Sequence, residues 1–152
     1  MLTSSVVVVD SSIAVYVVLE YPLSSQVEAL WKSWIDADVK IIAPRLWLNE
    51  VTSAIHKVYM LKRISEESAL DALNAILSLG VELFDEDNGL CLNAFAWATR
   101  LEQLPAYDSF YLALAEQSNA AFWTADKRLA HGARQLGAAW VRWIGEEIED
   151  IS

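Results

Sequence analysis

The chain has 152 residues, over half of them apolar and including seven Trp, five Tyr and four Phe, with a formal net charge of −10. That length suits one domain with a proper core, and the apolar content excludes a disordered chain. The negative charge excludes broad, non-specific association with phosphate backbones, so any nucleic-acid contact must be local.

The N-terminal Met1-Leu2-Thr3-Ser4-Ser5 has no positively charged region, and the apolar run behind it breaks at Asp10-Ser11-Ser12. A secretory leader is therefore not expected. No apolar stretch approaches the roughly 20 residues needed to cross a bilayer as a helix, so the protein should be soluble. Val6 to Val9 is a continuous β-branched run, the mark of a strand covered on both faces. Ile13 to Leu19 follows as a short buried helix, ended by Tyr21-Pro22 because the residue before proline avoids helical angles. Ser25 with Glu28 offers a capping box for the next helix, whose stripe is Val27, Leu30, Trp31, Trp34 and Ile35.

Lys40 to Ala43 is a short strand, and Pro44 leads into a helix from about Arg45 to Lys62 with Leu48, Val51, Ile55 and Val58 on its apolar face. Ser65 followed by Glu66 and Glu67 caps a helix that runs to about Leu79 and stops at Gly80, a left-handed cap. Val81 to Phe84 is the third strand. Asp87 caps a helix marked by Leu90, Ala94, Trp97, Ala98 and Leu101, in which the lone Cys91 is expected as a small buried thiol. One cysteine cannot close an internal disulfide, which fits a reducing cytoplasm. Beyond Pro105 come an apolar helix from Tyr107 to about Gln117, a strand from Ala121 to Thr124, a helix from Lys127 to about Leu136, and a fifth strand or edge segment from Ala139 to Trp143.

Five strands interleaved with helices predict an α/β fold, a three-layer α/β/α sandwich around a mainly parallel five-stranded sheet. A single domain over residues 1–152 is expected, with residues 145–152 as an acidic tail that includes Glu146-Glu147-Ile148-Glu149-Asp150.

Four acids stand out. Asp10 and Asp126 follow the carboxyl ends of the first and fourth strands, the edge where open parallel sheets bind ligands. Glu50 interrupts the apolar residues Trp47, Leu48 and Val51 near a helix start, and Asp108 lies in the first turn of an otherwise apolar helix. Each also has a plain structural use: Asp10, Asp108 and Asp126 as helix caps, and Glu50 as a surface partner of Lys57. Capping and metal binding are compatible. Together the four suggest a site for a hard cation with oxygen ligands, Mg2+ or Mn2+, able to activate water and steady a phosphodiester's leaving oxygen. The Thr124 hydroxyl could hold a carboxylate or a bound water. Lys127 and Arg128 could contact flanking phosphates, although solvated helix positions are the plainer account.

The segments Val7-Val8-Val9-Asp10-Ser11-Ser12-Ile13, Asn49-Glu50-Val51, Tyr107-Asp108-Ser109-Phe110-Tyr111-Leu112-Ala113-Leu114-Ala115-Glu116 and Phe122-Trp123-Thr124-Ala125-Asp126-Lys127-Arg128-Leu129 resemble PIN domains, especially VapC-type toxins. The likeness covers nearly the whole chain. It implies a Mg2+- or Mn2+-dependent endoribonuclease with Asp10, Glu50, Asp108 and Asp126 as catalytic and metal-binding acids. Ser12 and Thr124 match the family's supporting hydroxyls. It further implies an RNA substrate, a homodimer and a cognate antitoxin. A catalytically idle PIN-like protein that binds a partner is the alternative.

Other chemistries fit less well. A receiver domain could use Asp85 but needs a Lys ending the last strand, where Ala139-Trp140-Val141-Arg142-Trp143 has none. A haloacid dehalogenase-type phosphatase needs an acid where Ser12 stands. His56 and His131 have no Cys partner at zinc spacing and are read as structural. Ser11 and Ser12 lack a base for nucleophilic chemistry. Trp31, Trp34, Trp97, Trp123 and Trp140 fall on apolar faces and are assigned to core or dimer packing.

Overall fold

A computed structural model of the protein describes residues 5–146. Five strands, β1 (Val6–Val9), β2 (Lys40–Pro44), β3 (Glu82–Phe84), β4 (Ala121–Thr124) and β5 (Val141–Trp143), form one sheet in the order β3-β2-β1-β4-β5. All four pairings are parallel. The expected three-layer α/β/α arrangement is therefore the observed one, and its sheet is parallel throughout.

Alternation along β1 divides the core in two. Val7 and Val9 pack with Ile13, Val27, Trp31, Trp34 and Ile41 on one face. Val8 points to the other face, where a larger cluster contains Ile42, Trp47, Val51, Ile55, Trp97, Tyr111 and Phe122. Neighbouring side chains on a strand face opposite ways, so a strand buried on both sides has to be apolar at every position. That is why β1 reads Val-Val-Val-Val.

The helices are α1 (Ser11–Val18), α2 (Ser24–Asp36), α3 (Leu46–Met60), α4 (Glu66–Leu77), α5 (Asn88–Leu101), α6 (Tyr107–Ser118) and α7 (Lys127–Gln135). Ser65 and Asp87 cap α4 and α5 as expected, accepting from the amides of Ser68 and Leu90. The capping box at Ser25 and Glu28 does not form. The first residue of α2 is Ser24, and the exposed Ser25 hydroxyl donates to Gln26 instead (2.9 Å). Ser24 is buried and fastens the turn before α2, accepting from the Tyr21 amide (2.9 Å) and donating to the Leu19 carbonyl (2.6 Å). Gly80 does take a left-handed conformation (φ +81°), but α4 has already ended at Leu77, with Ser78 as its cap.

Cys91 is exposed rather than buried. Leu90, Ala94, Trp97 and Ala98 turn inward from α5, and Cys91 stands on the outer side with Leu92 and Phe95. The acidic segment expected as a tail lies outside the described residues from position 147 onward. Of its first two residues, Gly145 is buried and Glu146 accepts from Arg134 (2.6 Å).

The N-terminus of α3 is held by residues just beyond β3. The Leu46 amide donates to Glu86 (2.7 Å), and Arg45 pairs with Asp85 (2.6 Å). These contacts set where α3 begins, and therefore where Glu50, one turn further on, is presented. They also give Asp85 a partner away from the other acids.

Candidate metal centre

The strand order places a reversal beside β1. The chain winds outward through β2 and β3, then returns to lay β4 on the opposite side of β1 and continues to β5. Such a switch point opens a crevice at the carboxyl ends of the two strands that flank it. Val9 is level with Trp123 in the ladder, so Asp10 emerges beside Thr124.

Asp10 is buried and holds a dense set of hydrogen bonds. Its Oδ1 accepts from the Ser12 hydroxyl (2.5 Å), the Ser12 amide (3.1 Å) and the Ile13 amide (3.4 Å). Its Oδ2 accepts from the Thr124 hydroxyl (2.5 Å). The hydroxyls are oriented from behind, because Ser12 Oγ accepts from the Ala125 amide and Thr124 Oγ1 from the Asp126 amide, each at 3.0 Å. Each hydroxyl has one proton, and each gives it to Asp10. Asp10 thus caps α1 while keeping spare acceptor capacity on Oδ2. Burial pushes its carboxyl up to about 6; the Ser12, Thr124 and Ile13 donors oppose the rise, and repulsion from Asp108 adds to it.

Glu50 and Asp108 arrive from α3 and α6. Glu50 is half-buried and does not pair with Lys57; its Oε1 accepts a short hydrogen bond from the Tyr111 hydroxyl. Burial raises its pKa, the Tyr111 bond works against the rise, and Asp108 adds to it. Asp108 does not cap its helix, because the N-cap is Ala106, with no side-chain bond. Burial and repulsion from Asp126 raise its pKa. Asp126 is exposed and does cap α7, accepting from the Leu129 amide (3.1 Å). Asp108 repels Asp10, Glu50 and Asp126, so the four acids share one electrostatic neighbourhood centred on it.

No cationic side chain is among the influences on Asp10, Glu50 or Asp108. Acids buried together without a counter-ion are costly, and a divalent cation is the natural compensation. Among the described residues, no three His, Cys, Asp or Glu side chains are arranged to enclose an ion by themselves. A closed zinc-type cage is therefore not the pattern. An all-oxygen site of one or two carboxylates, with water completing the shell, does fit the donors present, and that is how Mg2+ is usually held.

An open cleft of about 930 Å³ is lined in part by Asp108 and Asp126. Lys127, Arg128 and His131 of α7 line it, together with Gln103, Leu104 and Pro105 from the loop before α6. Lys127 lies over the Trp143 ring (5.0 Å), and His131 meets the same ring edge-on (6.0 Å). His56 lies on α3 beside Tyr59 (6.3 Å) and does not line this cleft.

All six residues singled out in the sequence, the four acids with Ser12 and Thr124, thus sit around the β1/β4 crevice. Tyr111, which hydrogen-bonds Glu50, is a neighbour of these acids that pattern reading misses, since its apolar neighbours on α6 mark it as core. Its spacing of one helical turn from Asp108 was the available signal.

The PIN domain family matches the sequence over residues 7–135. No curated protein matches the chain by sequence. Among solved structures, PAE2754 from Pyrobaculum aerophilum is 23% identical with a TM-score of 0.64, over 84% of this chain and 80% of that one. VapC20 of Mycobacterium tuberculosis, a sarcin-ricin loop cleaving toxin, is 17% identical with a TM-score of 0.61, over 83% and 95% of the two chains. VapBC2 from Rickettsia felis, bound to a DNA fragment from its promoter, is 18% identical with a TM-score of 0.61, over 90% and 97%. The structural likenesses show a shared fold, and the match across most of the sequence shows that the chain belongs to the PIN domain family.

Proposed function

We propose that the protein is a Mg2+- or Mn2+-dependent endoribonuclease acting as the toxin of a VapBC-type toxin–antitoxin pair. The observation that carries the reading is the gathering of Asp10, Glu50 and Asp126 around Asp108, which repels each of them, with no cationic side chain among the influences on Asp10, Glu50 or Asp108. The names of the similar folds support the second half, since they include a sarcin-ricin loop cleaving toxin and a toxin–antitoxin complex from Klebsiella pneumoniae.

Asp10 and Asp108 would hold the cation, with Glu50 and Asp126 contributing directly or through water. Such an ion, when bound, lowers the pKa of water and offsets negative charge at a phosphate. Ser12 and Thr124 keep Asp10 in one orientation, so that little reorganisation is left for the moment of reaction. Lys127 and Arg128 line the cleft beside Asp108 and Asp126, where they would hold the phosphates flanking the scissile bond. Local charge of this kind is what a chain of net charge −10 needs to accept RNA at one place only.

Among the described residues no helix is long and apolar enough to cross a membrane. A cytoplasmic location and a homodimer complete the proposal. Solution mass measurement addresses the dimer, and an adjacent small reading frame whose product co-purifies addresses the antitoxin.

Cleavage of single-stranded RNA with and without Mn2+ tests the activity. Wild type should cleave only with the metal, and Asp10→Asn should not cleave at all. Undiminished metal-dependent cleavage by Asp10→Asn would sink the assignment. If Mn2+ neither supports cleavage nor raises the melting temperature, the catalytically idle binding module is the better description.

A further inference from the structure

The geometry points to Tyr111 as the residue that positions Glu50, and through Glu50 sets the metal affinity of the acidic centre. This rests on the metal-dependent reading above and adds a residue that reading did not need. Tyr111 is completely buried, and among the described residues its hydroxyl makes one hydrogen bond, to Glu50 Oε1. Its ring stacks on Phe122 of β4, with centroids 5.9 Å apart and planes 17° from parallel. The hydroxyl is therefore anchored to the central sheet.

Glu50 has no such anchor of its own. It comes from α3 on a long, flexible side chain, whose only hydrogen bond among the described residues is the one from Tyr111. A single donor fixed in space picks one orientation out of the several that a glutamate samples, and it removes the entropy cost of choosing that orientation when a ligand arrives. Oε1 is engaged by the tyrosine, while Oε2 has no hydrogen bond among the described residues and Asp108 is near enough to repel the carboxylate. Tyr111 also lies one turn after Asp108 on the same side of α6, so one rigid helix carries both a proposed ligand and the support for another.

The experiment is direct Mn2+ titration of wild type, Tyr111→Phe, Glu50→Ala and the double variant, following free Mn2+ by electron paramagnetic resonance. Phenylalanine keeps the stack on Phe122 and removes only the donor. Tyr111→Phe should weaken Mn2+ binding about ten-fold or more, the usual consequence of losing an outer-shell partner. The same change in the Glu50→Ala background should have less than about a two-fold effect, because a residue acting through Glu50 has nothing left to act on. Equal affinity of wild type and Tyr111→Phe overturns the inference alone. So does an equal loss in both backgrounds, which would mean a merely structural role. Absence of Mn2+ binding by wild type overturns the metal reading itself and the inference with it. Should Tyr111→Phe fail to fold, the wild-type hydroxyl proton is the measurement. A slowly exchanging Tyr111 hydroxyl resonance that disappears in Glu50→Ala supports the contact, and no such resonance in wild type overturns it.

Discussion

Thr124 shows how one buried hydroxyl can serve two strands. It donates to Asp10 across the β1/β4 junction and accepts from the Asp126 amide at the start of α7. Thr124→Val keeps the shape and removes both bonds, leaving a carboxylate oxygen and an amide short of partners. We expect a loss of about 1–3 kcal/mol in urea unfolding, together with weaker Mn2+ binding. Unchanged stability would show that water replaces the hydroxyl at no cost. Asp108 calls for the opposite kind of change. It caps nothing and repels the three other acids, so Asp108→Asn should leave the metal-free protein at pH 7 at least as stable as wild type while abolishing the Mn2+-induced rise in melting temperature. Thermal melts with and without Mn2+ read both effects; a retained metal response would remove Asp108 from the site.

Among the elements, α7 carries the clearest conflict between a structural and a chemical account of the same side chain. Asp126 caps this helix, and Asn caps as well as Asp does. Asp126→Asn should therefore fold with wild-type stability but bind Mn2+ more weakly, whereas Asp126→Ala should additionally lose about 1 kcal/mol. If Asn restored both properties, the cap would be the whole story. At α2 the lesson is different. A serine followed three residues later by glutamate looked like a capping box, yet Ser24 starts the helix because its buried hydroxyl ties Leu19 and Tyr21 together. Local spacing does not tell which of two adjacent serines is buried. At α5 the inward stripe was legible from Leu90, Ala94, Trp97 and Ala98, but the outward placement of Cys91 was not, because a free thiol is apolar enough to sit on either side.

On the scale of the whole molecule, the acids shape how stability depends on pH. Asp10 rises from 3.8 to about 6 in the folded protein, so between these values the native state binds more protons than the unfolded one. Without metal, stability should fall as pH increases through that window and stay lower above it, by on the order of 3 kcal/mol from Asp10. Glu50 and Asp108 are shifted the same way and add to the trend. Mn2+ should reverse it, since the ion favours the ionised carboxylates. Melting temperatures from pH 4.5 to 7.5, with and without Mn2+, check the sign; a metal-free protein that gains stability over this range would contradict the burial of Asp10.

The strands and helices were legible, and Asp10 and Asp126 could be placed at strand ends, because hydrophobic period and punctuation by Ser, Asp, Pro and Gly are local properties of the chain; Glu50 and Ser12 were singled out chiefly by the resemblance to PIN domains. Val6 to Val9 could only be a doubly covered strand, and Asp10 and Asp126 could only lie at strand ends. What the tertiary structure alone decided was adjacency. Periodicity carries no information about which strands are neighbours, so it could not place β4 beside β1 and bring Thr124 to Asp10 across 114 positions. Nor could it show that a tyrosine in an apolar helix would give its only proton to a glutamate 61 residues earlier. The amino-acid sequence determined each residue's secondary structure and much of its burial, because those depend on near neighbours. Packing determined which charges meet, because that depends on how the layers close over the sheet.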